Sequence, residues 1–78
     1  MNVVESSTLA AIGYDDAREI LVLEFRRHAV YSYFGVPGAL YEGLLSASSK
    51  GKYFNGEIRG HFLHSRVGDR QTGVRGEA

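Results

Sequence analysis

Residues 19–26 read EILVLEFR, and this run limits the fold more than any other stretch of the chain. Leu21, Leu23 and Phe25 alternate with Ile20, Val22 and Glu24, the period of a strand with one buried face. Such a strand needs partners at its edges and a layer over its apolar side. Its partners are adjacent in the chain. Residues 8–15 form a first strand, closed by the polar turn of Asp15, Asp16, Ala17 and Arg18. Residues 30–34 form a third, after a turn at Arg27, His28 and Ala29. Connections this short make an antiparallel meander.

Pairing Leu21 with Tyr14 sets Leu23 beside Ile12, and pairing Phe25 with Tyr31 sets Leu23 beside Tyr33. One face then holds Ile12, Tyr14, Leu21, Leu23, Phe25, Tyr31 and Tyr33, a credible core face. The other holds Ala11, Gly13, Ile20, Val22, Glu24, Val30, Ser32 and Phe34. It is semi-apolar, and the pattern leaves no element to cover it. Self-pairing or a chain terminus is expected there.

Pro37 suits the first turn of a helix and pushes Val36 into an extended shape. Leu40, Tyr41, Leu44, Leu45 and Ser48 then follow a single helical stripe. Gly38 and Gly43 weaken this helix by up to ~1 kcal/mol each, so tertiary packing must hold it. Residues 52–59 predict a second, short helix, with Phe54 and Ile58 one turn apart and Gly60 as its stop. Residues 61–64, HFLH, add a short extended piece. The predicted fold is α+β: a three-stranded antiparallel β-meander followed by two helices packed on one face.

The chain has 78 residues, which predicts one domain over residues 1–65 and a flexible tail, rich in Gly and charge, over residues 66–78. A domain this small buries only about 60% of its unfolded surface. With no Cys, it has no disulfide, no thiolate metal site and no thiol nucleophile. That composition fits a cytoplasmic address. The N-terminus lacks a signal-peptide pattern, and no apolar run reaches the ~20 residues of a membrane span. Net charge is zero, against a generic polyanion binder. Its distribution is uneven. Residues 1–25 carry Glu5, Asp15, Asp16, Glu19 and Glu24 against Arg18. Residues 26–75 carry Arg26, Arg27, Lys50, Lys52, Arg59, Arg66, Arg70 and Arg75 against Glu42, Glu57 and Asp69. This predicts an electrically polar molecule or, more plainly, a set of solvating surface charges.

The strongest ligand candidate is Ser48, Ser49, Lys50, Gly51 and Lys52. Ser49 can cap the second helix, Lys50 and Lys52 add exposed positive charge, and Gly51 lets a phosphate approach the backbone. Tyr53 can stack nearby, and Arg59 follows further along. The same residues also fit an ordinary helix junction with solvated lysines. Tyr31 and Tyr33 either stack bases or fill the core with their hydroxyls at its edge. His61 and His64 are three apart and lack the further ligands that zinc needs. Asp15 and Asp16 read as a turn, without the other oxygens of a calcium loop. No metal or cofactor is expected.

A set of residues in a fixed order resembles a known small family: Ser7; Ile12, Gly13, Tyr14 and Asp15; Leu21, Leu23 and Phe25; Tyr31, Ser32 and Tyr33; Val36 and Pro37; Tyr41; Leu44; Ala47 and Ser49; Gly51, Tyr53, Phe54 and Asn55; Ile58 and Arg59. The family is the KTSC domain, named for the C-terminus of some lysyl-tRNA synthetases and also found as short free-standing bacterial proteins. The resemblance covers roughly residues 6–64. Where the family often carries Gly before its Tyr-x-Tyr, this chain has Arg27, His28 and Ala29. The resemblance implies no activity, and it suggests RNA binding through the synthetase link.

The residues together point to a non-catalytic binding module. RNA, tRNA-related by resemblance alone, or another phosphate-bearing ligand would sit on Lys50, Gly51, Lys52, Tyr53 and Arg59, helped by Arg26 and Arg27. The alternative is a protein-interaction or homodimerising module that uses the outer sheet face. A hydrolase ranks third, because no motif supports it.

Overall fold

Ile20–Phe25 forms β3, the middle strand of an antiparallel sheet whose spatial order follows the chain. The computed structural model describes residues 2–4 and 6–69. Its strands are β1 (Asn2–Val3), β2 (Leu9–Asp15), β3, β4 (Ala29–Phe34) and β5 (His64–Asp69). Between β4 and β5 come α1 (Gly38–Ser46) and α2 (Lys50–Tyr53), and α2 runs directly into a π-helical turn, Phe54–Ile58. The class is α+β, with β2, β3 and β4 as the three expected strands. β1 and β5 extend the meander at its two edges. Neither has a readable apolar period: β1 is two residues long, and β5 reads HSRVGD. Backbone pairing holds β5 to β4, with His64 opposite Tyr33 and Arg66 opposite Tyr31. Residues 66–69, expected in the tail, therefore belong to the sheet. Residues 70–78 lie outside the described residues, as do Glu5, Arg70 and Arg75 of the charge pattern.

The β2–β3 register is the expected one, with Tyr14 opposite Leu21 and Ile12 opposite Leu23. The β3–β4 register differs by two residues: Leu23 faces Tyr31 and Leu21 faces Tyr33. The cause is a tighter turn. His28 adopts φ 74°, and its N–H donates to the Phe25 carbonyl at 2.8 Å. Arg26, Arg27 and His28 alone then close the hairpin. A shift of two keeps the parity, so the same side chains face the core. A bulge at the start of β2 places Leu9 opposite Phe25 and Ala11 opposite Glu24. Strict alternation from Ile12 would send Leu9 outward, but the bulge turns it inward, where it is fully buried.

Leu9, Ile12, Leu21, Leu23 and Tyr33 of the sheet pack with Val36, Leu44, Phe54 and Ile58 of the helical layer. Leu23 and Leu44, on facing layers, are both fully buried. Tyr14 anchors the entry to α1: its hydroxyl donates to the Val36 carbonyl at 2.6 Å, and its ring stacks on Tyr41 at 4.7 Å. Burial first, then the carboxylates of Glu19, Asp16 and Asp15, pushes its phenol above the ordinary value. Gly43 lets α1 meet the ring of Tyr53, since a Cβ there would come within 2.7 Å of Cζ.

The outer face is not covered by residues 2–4. They pair edge-on with β2, Val3 opposite Ala11, because open backbone groups at a sheet edge take a strand. Val3 is 86% exposed on that face, Phe34 40%, and Leu63, whose carbonyl accepts from Phe34 N–H, 81%.

Candidate functional site

At the open end of the core, the sheet and the helical layer part to leave a cleft of about 730 Å³. Its aromatic floor is Phe25, Tyr31, Tyr33 and Phe54. Phe54 meets Phe25 edge-on at 5.4 Å and Tyr33 edge-on at 5.6 Å. Tyr33 is buried and Tyr31 half-buried. The two rings complete the core, and the core ends at the cleft. Burial raises the Tyr33 phenol above its ordinary value, Tyr31 adds to this, and the nearby Arg59 charge pulls against it. Exposed His64 of β5 stacks on Tyr33 at 5.2 Å and 26°, and lies 5.8 Å from Tyr31.

The walls come from separate parts of the chain. Arg26, Arg27 and Ala29 belong to the β3–β4 hairpin, Ser7 and Thr8 to the β1–β2 link, and Asn55, Arg59 and Gly60 to the π turn and its end. A second cleft of about 350 Å³ adjoins the first, lined by Ser6, Ser7, Thr8, Ser48, Ser49, Lys50, Gly51, Lys52 and Asn55. Ser7, Thr8 and Asn55 line both clefts and form the seam between them.

Most of the residues singled out in the sequence meet here, with different tasks. Lys52, Arg59 and Arg27 are exposed along the two clefts. Arg59 Nη1 donates to Asn55 Oδ1 at 3.5 Å across one turn. Lys50 is half-buried rather than exposed, because its ammonium donates to the Ala47 carbonyl at 2.9 Å, where α1 ends. Arg26 is exposed but engaged: Nε donates to the Ser6 carbonyl at 2.7 Å and Nη2 to that of Val4 at 3.2 Å. Ser49 caps α2, accepting from Lys52 N–H at 3.4 Å. Gly51 is shielded by Thr8, since a Cβ there would lie 2.6 Å from Thr8 Oγ1. Its lack of a side chain thus lets α2 approach β2. Tyr53 lies outside both clefts, half-buried against α1.

Thr8, Asn55 and His64 were not among the residues singled out as binding candidates. Asn55 was recoverable, because it stands four residues before Arg59 and so shares its helical face. His64 depends on recognising β5. No group of His, Asp and Glu suited to a metal occurs among the described residues. No described helix is long and apolar enough to cross a membrane. Charge is uneven along β3, with Asp15, Asp16 and Glu19 against Arg18 at one end and Arg26 and Arg27 against Glu24 at the other.

Comparison with known proteins assigns the chain to a family. Residues 5–62 match the family model described as the KTSC domain. The chain belongs to the KTSC domain family. A protein from Tsukamurella paurometabola is 44% identical over 62 residues, covering 80% of this chain and 92% of its own. A crystal structure of a KTSC domain protein from Yersinia pestis superposes with a TM-score of 0.81 at 42% identity, covering 83% of this chain and 92% of that one. A lysine–tRNA ligase from a Nostoc species is 38% identical over 63 residues, which is 81% of this KTSC chain but 11% of the ligase.

Proposed function

We propose that this KTSC domain is a non-catalytic binding module whose ligand, in the cytoplasm, is RNA or another phosphate-bearing molecule held along the two joined clefts. The observation that carries this reading is the convergence of exposed Lys52, Arg59 and Arg27 on a seam of Ser7, Thr8 and Asn55, beside an aromatic floor. Cations supply attraction to phosphate, while hydroxyl and amide groups supply directed hydrogen bonds. The occurrence of a matching segment in proteins named lysine–tRNA ligase supports an RNA-linked role.

The test is an amide chemical-shift titration with short single-stranded RNA at low salt. If about three phosphates are neutralised, log affinity falls with log salt at a slope of roughly −2. Lys52→Glu with Arg59→Glu should abolish binding and leave the melt unchanged, since both side chains are exposed. Binding that survives this double reversal, or RNA that shifts no cleft amide, removes the proposal.

The exposed apolar pair of Phe34 and Leu63, joined across neighbouring chain segments, favours a second reading, a protein-interaction or self-association module. Sedimentation across a range of concentrations tests it. A strict monomer whose Phe34→Glu and Leu63→Glu variants gain solubility without losing any partner counts against it.

A further inference from the structure

We infer that the larger cleft takes one nucleobase, stacked on His64, and that the ligand class is therefore a nucleotide unit of single-stranded RNA rather than phosphate alone. This inference rests on the binding reading above and adds what the cleft recognises. The geometry is a stack with its last layer exposed. Phe54 abuts Tyr33 edge-on, Tyr33 is buried, and His64 lies on Tyr33 nearly parallel at 26°. His64 is itself exposed and lines the cleft. A flat aromatic ring held in place by a buried one is a ready platform for a base, because every base offers a π face.

The polar groups fit the remainder of a nucleotide. Arg59 and Arg27 line the same cleft as His64, so the phosphate on the ribose of a stacked base meets guanidinium groups of the same compartment. Asn55, Ser7 and Thr8 form the seam, and beyond it Lys52 awaits the next phosphate along a strand. A volume of about 730 Å³ falls within the range of small-ligand sites and holds one nucleotide with room for water. An inorganic anion would leave the aromatic floor unused.

The experiment compares adenosine 5′-monophosphate with ribose 5-phosphate, which carries the same phosphate without the base, and adds a short oligoadenylate. Adenosine 5′-monophosphate should shift the His64 and Tyr31 ring signals, and ribose 5-phosphate should not. His64→Ala should weaken the oligoadenylate about tenfold, the loss expected for one base–aromatic stack. His64→Phe should restore affinity to within about twofold, which separates stacking from the charge or hydrogen bonds of the imidazole. Melts of both variants check that β5 still pairs. Equal binding of the two small probes, or His64→Phe behaving like His64→Ala, overturns the stacking inference. If the oligoadenylate still shifts Lys52 and Arg59 amides in that case, the binding reading stands alone. If the oligoadenylate shifts nothing at low salt, both fall, and a protein occupant of the cleft becomes the reading to pursue.

Discussion

Gly43→Ala sets two effects of similar size against each other. Gly43 lies inside α1, where replacing Gly by Ala gains about 1 kcal/mol of helix propensity. A methyl group there would come within 2.7 Å of Tyr53 Cζ and 3.1 Å of Cε2, and closer still to the hydroxyl oxygen. Such approaches force the ring to move. Tyr53 is half-buried against the core, so the movement disturbs packing between α1 and α2. Overpacking of this kind costs about 1–3 kcal/mol. The net effect of Gly43→Ala is therefore a loss of about 0–2 kcal/mol. In a Tyr53→Ala background the obstacle is gone, and the same substitution should gain about 1 kcal/mol. Urea denaturation of the four proteins measures both, with unchanged m-values as the check that the unfolded states match. A gain from Gly43→Ala in the parent chain equal to that in the Tyr53→Ala background would refute the contact between Tyr53 and α1.

Leu44→Ala, at the centre of the helical layer, should cost about 2–5 kcal/mol and leave much of so small a domain unfolded. A melt that hardly moves would mean the core lies elsewhere. His28→Gly should stabilise by about 0.5–1 kcal/mol, because φ 74° strains a side chain by about 1–2 kcal/mol and Gly returns part of that as chain entropy. A lower denaturation midpoint would show that the imidazole makes a favourable contact. Tyr33 carries a raised phenol pKa in the folded protein. Above about pH 10 the unfolded phenol ionises first, so its contribution is whole below that pH and is lost as pH rises through the folded value. Tyr33→Phe should therefore flatten the alkaline fall in stability, and equal slopes for the two proteins would contradict the assignment.

The core face could be read from the sequence because parity survives errors in register. Tyr31 and Tyr33 face the core whether they pair with Phe25 and Leu23 or, as observed, with Leu23 and Leu21. The register itself depended on His28 adopting a left-handed backbone, which His enters more readily than most side chains but far less readily than Gly, so its residue type is a weak signal. Leu9 was hidden by the bulge, which breaks the alternation that would have revealed it. β5 was hidden because its pairing comes from backbone groups and its side chains show no apolar period. For the candidate site, charge and aromaticity brought out Lys52, Arg59, Tyr31 and Tyr33. Sequence could not separate open cations from engaged ones. Arg26 binds carbonyls of a segment that only the fold brings near, and Lys50 turns back onto a carbonyl three residues earlier that the end of α1 leaves open.

The strand order has a consequence for how the cleft opens. Among the described residues β5 has a neighbour on one side only, and its residues are mostly exposed. Its amides should therefore exchange with solvent through local opening, at a lower free energy than the amides of β3. His64 is carried by that strand. One wall of the cleft is thus carried by an edge strand that can open locally, while Phe25, Tyr31 and Tyr33 of the floor stand on the interior strands β3 and β4.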